Sequence, residues 1–306
     1  MAAKVVQLLL DCDPNQKLEQ FQGLPLLYFA CALEYNDSTI EAGVQIIRIL
    51  FDAHPGAIEN NGIAHDIHLC HKQVQAFVNS QLVYARQAKD HRLMTTPDTD
   101  GQLPLHRALE NNARLGSIKL LINGNPAAVK SPDNSGALSS HIACQHHDST
   151  IVVQYLRSLD KAAFNAVDID NNTILHYACH GAKHNTIMML LKEYDAASVS
   201  KRSAHGKLPI DLLWESNEVI DRESVEYMGS VYQLLKSYPE MVMNYDTGAI
   251  QNQSGNGKKR KYGNAELAVI NEAAQDQGGR AEDGESRSSK RRRPWWWGLW
   301  SYFTSK

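Results

Sequence analysis

The chain repeats a short pattern every 35 residues, and this interval limits the folds open to it more than any other feature does. In four consecutive copies a Gly or Asn marker stands five residues before a His or an Asp. The markers are Gly101, Gly136, Asn171 and Gly206, and the residues five positions later are His106, His141, His176 and Asp211. Looser copies begin at Gly23 and Gly62, each 39 residues before the next. A fixed period in this range is the signature of a repeat array.

The residues between successive markers predict two helices in each unit. A small Ala stands seven residues after most markers, where it lets neighbouring helices approach closely. Pro104 and Pro209 suit the first turn of a helix, where a missing N–H costs no hydrogen bond. Apolar pairs recur 19 and 20 residues after the marker, at Leu120-Leu121, Tyr155-Leu156 and Leu190-Leu191. The markers themselves predict turns, because Gly and Asn tolerate a positive φ.

These residues resemble the ankyrin repeat, whose pattern is Gly-x-Thr-Pro-Leu-His-x-Ala followed by a second helix with Leu-Leu. Residues 101–108 match this pattern at every position but the Thr, and residues 172–179 keep the Thr but lose the Pro. The resemblance covers roughly residues 1–245, is strongest over 100–213 and is weakest over 62–99. The 35-residue interval exceeds the usual one of about 33 residues, and such longer variants resemble those of algal and diatom ankyrin proteins.

The resemblance implies an all-α solenoid of stacked helix-turn-helix units. Residues 1–245 are expected to form about six units, the first preceded by a half-unit at Val5–Leu10. Residues 246–289, rich in Gly, Asn, Gln, Ser and Glu, predict a disordered linker. Residues 290–306 form a basic and aromatic tail. Charge divides at the same place, since residues 1–245 carry a net charge of −7 and the remainder one of +4.

The sequence predicts no enzyme and no cofactor. Gly-rich phosphate loops, nucleophile elbows and His-Glu-x-x-His motifs are missing. The resemblance implies a structural role for the recurring His, which in the family bonds locally to hold the turn against the helix. Four of the five cysteines recur eight residues after a marker, which predicts small apolar fillers rather than disulfides in an intracellular chain.

Two groups of N and S ligands leave a metal-dependent enzyme as the remote alternative. The groups are His65, His68, Cys70 and His71 on one predicted helix, and Cys144, His146, His147, Cys179 and His180 on adjacent units. Such ligands suit Zn²⁺, but neither group shows a paired metal-finger spacing. The prediction is therefore that no residue of the chain is catalytic or holds a metal.

The predicted function is that of a scaffold or adaptor that binds another protein through the repeat surface. In the family, variable contact positions flank the marker and lie near the end of the first helix. Carried over by offset, these positions are Asp100, Gln102, Glu110, Asn111, Gln145, His146, Asp170, Asn172, His180, His205 and Lys207. The set is poor in the Trp, Tyr and Arg anchors of tight interfaces, which favours moderate affinity.

The C-terminal tail combines charge with tryptophan. Its residues of interest are Lys290, Arg291, Arg292, Arg293, Trp295, Trp296, Trp297 and Trp300. The segment after Pro294 is too short to span a bilayer, but Trp favours the headgroup zone and basic residues favour anionic lipid. We expect attachment to a membrane surface. A nuclear adaptor, with Lys258–Lys261 and Lys290–Arg293 as import signals, is the alternative, and a peptide ligand is a third reading.

The two ends of the sequence indicate where the protein is expected to be located. Residues 1–10 hold one Lys and a short apolar stretch broken by Gln7, unlike a signal peptide. The expected location is intracellular, namely cytoplasmic, at a membrane surface, or nuclear. Nucleic acid is the partner that the sequence favours least.

Overall fold

A computed structural model of the protein describes residues 20–21, 24–59, 61–193, 199–216 and 224–238. The predicted half-unit, linker and tail lie outside these residues. The backbone divides into two compact units between Phe164 and Asn165. Each unit is described by itself.

The first unit begins with a short antiparallel pair of strands, β1 (Gln20–Phe21) and β2 (Leu24–Pro25), and continues as helices. Its helices are α1 (Leu26–Ala32), α2 (Ile40–Ala53), α3 (Asn61–Asp66), α4 (Lys72–Lys89), α5 (His91–Thr95), α6 (Pro104–Glu110), α7 (Leu115–Gly124), α8 (Ser139–His146) and α9 (Thr150–Leu159). Short 3₁₀ turns join them at η1 (Pro55–Glu59), η2 (Ile67–Leu69), η3 (Pro126–Val129) and η4 (Ala162–Asn165).

The second unit is likewise built from helix pairs. Its described helices are α10 (Ile174–His180), α11 (His184–Glu193), α12 (Pro209–Glu215) and α13 (Val225–Ser237). An isolated antiparallel bridge joins Val167 to Thr173 across the first turn of the unit. The predicted all-α repeat fold is thus confirmed for the described part of the chain.

The first helices are too short to be stable alone, and their apolar sides are covered by neighbouring helices. Helix α6 has 7 residues and α8 has 8, whereas isolated helices need about 12–15 residues to be even marginally stable. Within the first unit α6 packs against α8, and within the second unit α10 packs against α12. The recurring Ala108, Ala143 and Ala178 are buried, as close helix approach requires. Burial of such apolar surface is the main favourable term in folding.

The residues that lengthen the interval beyond that of the family form part of the core. They lie in the return loops, where η3 buries Val129 and η4 buries Phe164. In an earlier repeat of the first unit, Ile58 in η1 is completely buried. The added length therefore contributes apolar packing rather than an exposed insertion.

The loose copy at Gly62 does not reproduce the marker turn. Gly62 lies inside α3 rather than at a turn, and His65 and His68 are divided between α3 and η2 instead of sharing one helix. The Pro-Leu-His segment that would start a helix after a turn is absent here. The next helix, α4, instead begins where the Nδ1 atom of His71 accepts the Gln73 N–H at 3.3 Å.

The turn between the paired helices takes two forms. Eleven residues after their markers, Asn112 and Ala182 adopt φ values of 53° and 48°, typical of a left-handed residue that ends a helix. After α8 the turn is closed by His147 instead, whose Nε2 donates to the Ala113 carbonyl at 2.7 Å. Its Nδ1 accepts the Ser149 N–H at 3.1 Å, so both ring nitrogens are bonded.

All four strict markers have the positive φ that their residue types predict. The values are 75° for Gly101, 78° for Gly136, 60° for Asn171 and 76° for Gly206. Gly101 is also closely approached, because a Cβ there would lie 2.4 Å from Asn134 Oδ1 and 2.7 Å from Asn134 N. A Cβ at Gly206 would meet no atom within 4 Å.

We expect Gly101→Ala to lower the free energy of unfolding more than Gly206→Ala does. Both changes impose a left-handed backbone on Ala, at a cost of about 1 kcal/mol. Only Gly101→Ala also displaces Asn134, so its loss should be roughly twice as large. Urea unfolding followed by circular dichroism measures the free energy of unfolding of both variants. Equal losses would show that the close contact with Asn134 does not contribute to stability.

Candidate functional site

In three of the four strict copies an aspartate three residues before the marker holds the turn from within. Asp98 Oδ1 accepts the N–H groups of Asp100 and Gln102, both at 2.9 Å. The same bonds recur at Asp133 with Ser135 and Ala137, and at Asp168 with Asp170 and Asn172. In the fourth copy the Ser203 hydroxyl accepts the Lys207 N–H at 3.2 Å. Sequence analysis missed these residues, although their own 35-residue spacing was the signal for them.

The recurring His performs the predicted structural role at the start of each first helix. His106 Nδ1 accepts the Leu103 N–H at 3.0 Å. The equivalent bonds are His141 to Leu138 at 3.1 Å, His176 to Thr173 at 3.1 Å, and Asp211 Oδ2 to Leu208 at 2.9 Å. An accepting nitrogen or carboxylate oxygen serves equally well, which explains why Asp replaces His in the last copy. Each satisfies a backbone donor that the helix itself leaves unpaired.

His106, His141 and His176 are buried, and His106 and His176 are neutral at neutral pH. Because Nδ1 of His176 accepts a bond, its proton is on Nε2, which donates to the Lys207 carbonyl at 3.2 Å. Burial lowers the pKa of His106 and of His176 below the usual 6.5, and it does the same to the pKa of His184 in α11. Fully buried rings engaged with backbone are suited to holding structure rather than to proton transfer with a substrate.

The lowered pKa values predict that stability falls in mild acid. Below about pH 6.5 the unfolded chain binds protons that the folded chain resists, so the stabilisation is complete above that pH and is lost as pH falls through the folded pKa values. We expect the free energy of unfolding to be smaller at about pH 5.5 than at about pH 7.5. In His106→Asn the amide oxygen can still accept the Leu103 N–H but cannot titrate, so the pH dependence should shrink. An unchanged slope in urea titrations of this variant would contradict the assignment.

Neighbouring turns are bonded to one another inside each unit. In the first unit Asn134 donates its backbone N–H to the Asp100 carbonyl and its Nδ2 to the Thr99 carbonyl, both at 3.0 Å. In the second unit Asn171 Nδ2 donates to the Arg202 carbonyl at 2.7 Å. The turns therefore form fixed pairs rather than independent loops.

The contact positions predicted around Gly101 come together about Arg107, which sequence analysis did not single out. Its guanidinium bonds to Asp98 Oδ2 at 2.7 Å, to Asp100 Oδ2 at 2.7 Å and to Glu110 Oε2 at 3.0 Å. Gln102 Nε2 donates to Glu110 Oε1 at 2.6 Å. The Gln102 N–H above all, with help from Arg107, holds the pKa of Asp98 below its usual range. These bonds fix five polar side chains, Arg107 among them, at one turn tip.

The residue six positions after the marker reaches the turn aspartate in the second unit as well. Tyr177 OH donates to Asp168 Oδ2 at 2.9 Å, which is the contact that Arg107 makes with Asp98. Asn172 Nδ2 donates to the same oxygen at 2.9 Å. Within this unit the chemistry of the tip is therefore phenol and amide rather than guanidinium.

The other predicted contact positions also lie at turns and at ends of first helices. Asn111 is exposed at the end of α6, where its Nδ2 donates to the Arg107 carbonyl at 2.8 Å. Lys207 pairs with Glu215 at 2.5 Å, and His205 Nε2 lies 3.8 Å from Asp170 Oδ1. Gln145 and His146 are half-buried at the end of α8, and His180 is exposed at the end of α10. Gln102 also lies at a turn, but unlike the other predicted contact positions it is buried, with only 8% of its surface exposed.

The cysteines are packed as fillers, with one difference. Cys31, Cys144 and Cys179 are buried free thiols, and burial raises the pKa of Cys31 to about 12. Cys70 is only half-buried, beside the exposed His65 and His68. Over the residues that the structure describes, no group of three or more His, Cys, Asp and Glu side chains could hold a metal ion.

The paired helices, the bonded turns and the exposed polar tips define a helical-repeat protein whose accessible features are its turns and helix ends. A family model for ankyrin repeats, in three copies, matches residues 105–203. Residues 105–203 therefore form ankyrin repeats, and the sequence-based assignment is confirmed for this part of the chain. No curated protein matches the chain. Ankyrin repeats mediate binding to other proteins and typically act as interaction modules rather than enzymes.

The described part of the chain contains no helix that is both long and apolar enough to cross a membrane.

Proposed function

We propose that this protein is an adaptor that holds another protein on the marker-turn tips and the ends of the first helices. The observation that supports this most is the fixed geometry of the tips. Backbone bonds join Asp100 to Asn134, and Arg107 immobilises the acidic side chains beside them. Side chains that are already ordered lose little entropy when a partner binds.

The apolar surface supports the same assignment by its placement. The helix faces that carry Leu105, Leu121 and Leu156 are buried within the first unit. What remains exposed at the marker turns of the first unit is polar, whereas Ile169 at the Asn171 turn of the second unit is 72% exposed. The Trp, Tyr and Arg anchors of tight interfaces are few at these turns. We therefore expect a dissociation constant on the order of micromolar for the partner.

Site-specific cross-linking tests this surface. A photoreactive residue placed at Asn111, exposed at the end of α6, should capture a discrete partner in cells. The matched control is Gln154, exposed on the second helix α9 of the same unit. Equal capture at both positions, or a discrete adduct from Gln154 alone, would place the binding surface elsewhere.

We further propose that the C-terminal tail attaches the protein to an anionic membrane surface, so that the array holds its partner there. The support is compositional, since Lys290–Arg293 adjoin Trp295–Trp297 and the tail lies outside the described residues. Each basic residue near an anionic leaflet adds about 1 kcal/mol, and Trp favours the headgroup zone.

The full chain should sediment with anionic vesicles and not with neutral ones. Replacing Trp295, Trp296 and Trp297 together by Ala should remove most of this binding, because the aromatic rings supply the insertion. In cells the same substitution should release a fluorescent full-length fusion from membranes. A nuclear signal that survives this change but disappears when Lys290–Arg293 become Gln would instead assign the tail to import.

A further inference from the structure

One turn tip of the first unit has an excess of hydrogen-bond acceptors and negative charge. We call it the Arg107 cluster, and it consists of Arg107 with Asp98, Asp100, Gln102 and Glu110. Three carboxylates face a single guanidinium, which leaves a formal charge of −2. All three carboxylates bond to Arg107 at 2.7–3.0 Å, so the cluster is held together before any ligand arrives.

The carboxylates of the Arg107 cluster are not equally engaged. Both oxygens of Asp98 are used, by two backbone N–H groups and by Arg107. Both oxygens of Glu110 are used, by Gln102 and by Arg107. Among the described residues, the Asp100 side chain bonds to Arg107 alone, through Oδ2, and it is 64% exposed. Asp100 is therefore the point where an incoming cation meets the least competition.

A second, independent feature of the cluster points to a ligand that donates hydrogen bonds. Gln102 is 92% buried, and its Oε1 accepts no hydrogen bond from any residue that the structure describes. The amide cannot simply be reversed, because its Nε2 donates to Glu110 and a reversed amide would set two oxygens against each other. A buried carbonyl oxygen without a donor is unfavourable, so a donor that reaches it is favoured.

We infer that the Arg107 cluster binds a Lys- or Arg-bearing segment of a partner protein. The inference rests on the proposed function, whose binding surface includes this tip. A guanidinium presents several N–H donors in a fixed plane, so it can bond to Asp100 and draw the Glu110 carboxylate outward. The amide of Gln102, released from Glu110, then turns its oxygen to the new donors. Arg107 keeps Asp98 in place throughout.

Charge complementarity supports this occupant over an acidic or apolar one. Residues 1–245 carry a net charge of −7, so the field around the tip adds to the local excess. An acidic segment would meet three carboxylates, and an apolar one would bury the Oδ1 atom of Asp100 without a donor. The fixed turn pair beneath the cluster, where Asn134 donates to the Asp100 carbonyl, keeps Asp100 in position.

Fluorescence anisotropy of the full chain with a labelled peptide tests the inference. The basic probe contains four Arg separated by Gly, and the control probe has Gln in place of each Arg. The basic probe should bind, the Gln probe should not, and binding should weaken as salt rises. Asp100→Asn combined with Glu110→Gln should weaken binding about fivefold to tenfold, because charged hydrogen bonds are lost while the amides still accept from Arg107.

The matched control removes two acidic charges elsewhere in the same unit. Asp37→Asn combined with Glu41→Gln changes exposed residues in and beside α2, and affinity should change less than twofold. Gln102→Met preserves the shape of the side chain but removes its acceptor, so it should weaken binding while circular dichroism stays unchanged. Equal loss in the two charge variants, or no loss in either, would overturn the inference.

The result is separable from the fate of the proposed function. If the basic probe fails to bind while the Asn111 cross-linker still captures a discrete partner, the adaptor role stands and the partner chemistry is wrong. If the cross-linker captures nothing and the basic probe also fails to bind, both the adaptor function and the basic partner segment are wrong.

Discussion

Side-chain acceptors that bond backbone N–H groups at both ends of each marker turn are the interaction on which the architecture depends. On one side the turn aspartate binds the turn itself, and on the other the His or Asp five residues after the marker binds the start of the first helix. The donor at Leu103 is buried, so losing its acceptor would leave an unpaired N–H at a cost of about 1–3 kcal/mol. Because first helices of this length cannot persist unaided, these bonds decide where each helix starts and therefore which residues stand at the tips.

Apolar burial completes what the turns begin, and it also decides where function can be. The recurring Ala permits close approach of first helices within a unit, and the return loops add Val129 and Phe164 to the core. With these faces used in packing, the turns and helix ends are what remains accessible to a partner. The polar character of the surface is therefore a consequence of the packing and not a separate feature.

The 35-residue interval predicted most of the fold because it records contacts that recur in every unit. The positive φ of the markers and the local bond of the His follow from it directly, and so does the burial of the Ala. The turn aspartates share the interval and were missed because the family pattern begins after them. Arg107 could not be found this way, since the positions 35, 70 and 105 residues later hold Ile142, Tyr177 and Leu212. The burial of Gln102 and its bond to Glu110 are also features that the offset from the marker does not reveal.

The repeat interval identifies positions that bond the backbone but not positions that bond other side chains. Positions that bond backbone, such as Asp98 and His106, are the same or chemically equivalent from copy to copy, because every turn presents the same N–H groups. The position six residues after the marker bonds the side chain of the turn aspartate in two copies, through Arg107 in one and Tyr177 in the other. In the remaining two copies it holds the apolar Ile142 and Leu212. A change there alters the charge and donor pattern of one tip without disturbing its backbone. The repeat can therefore vary the side chains that it presents at each turn while keeping the same fold. The guanidinium of Arg107 with its three carboxylates is the most strongly charged result among the described tips.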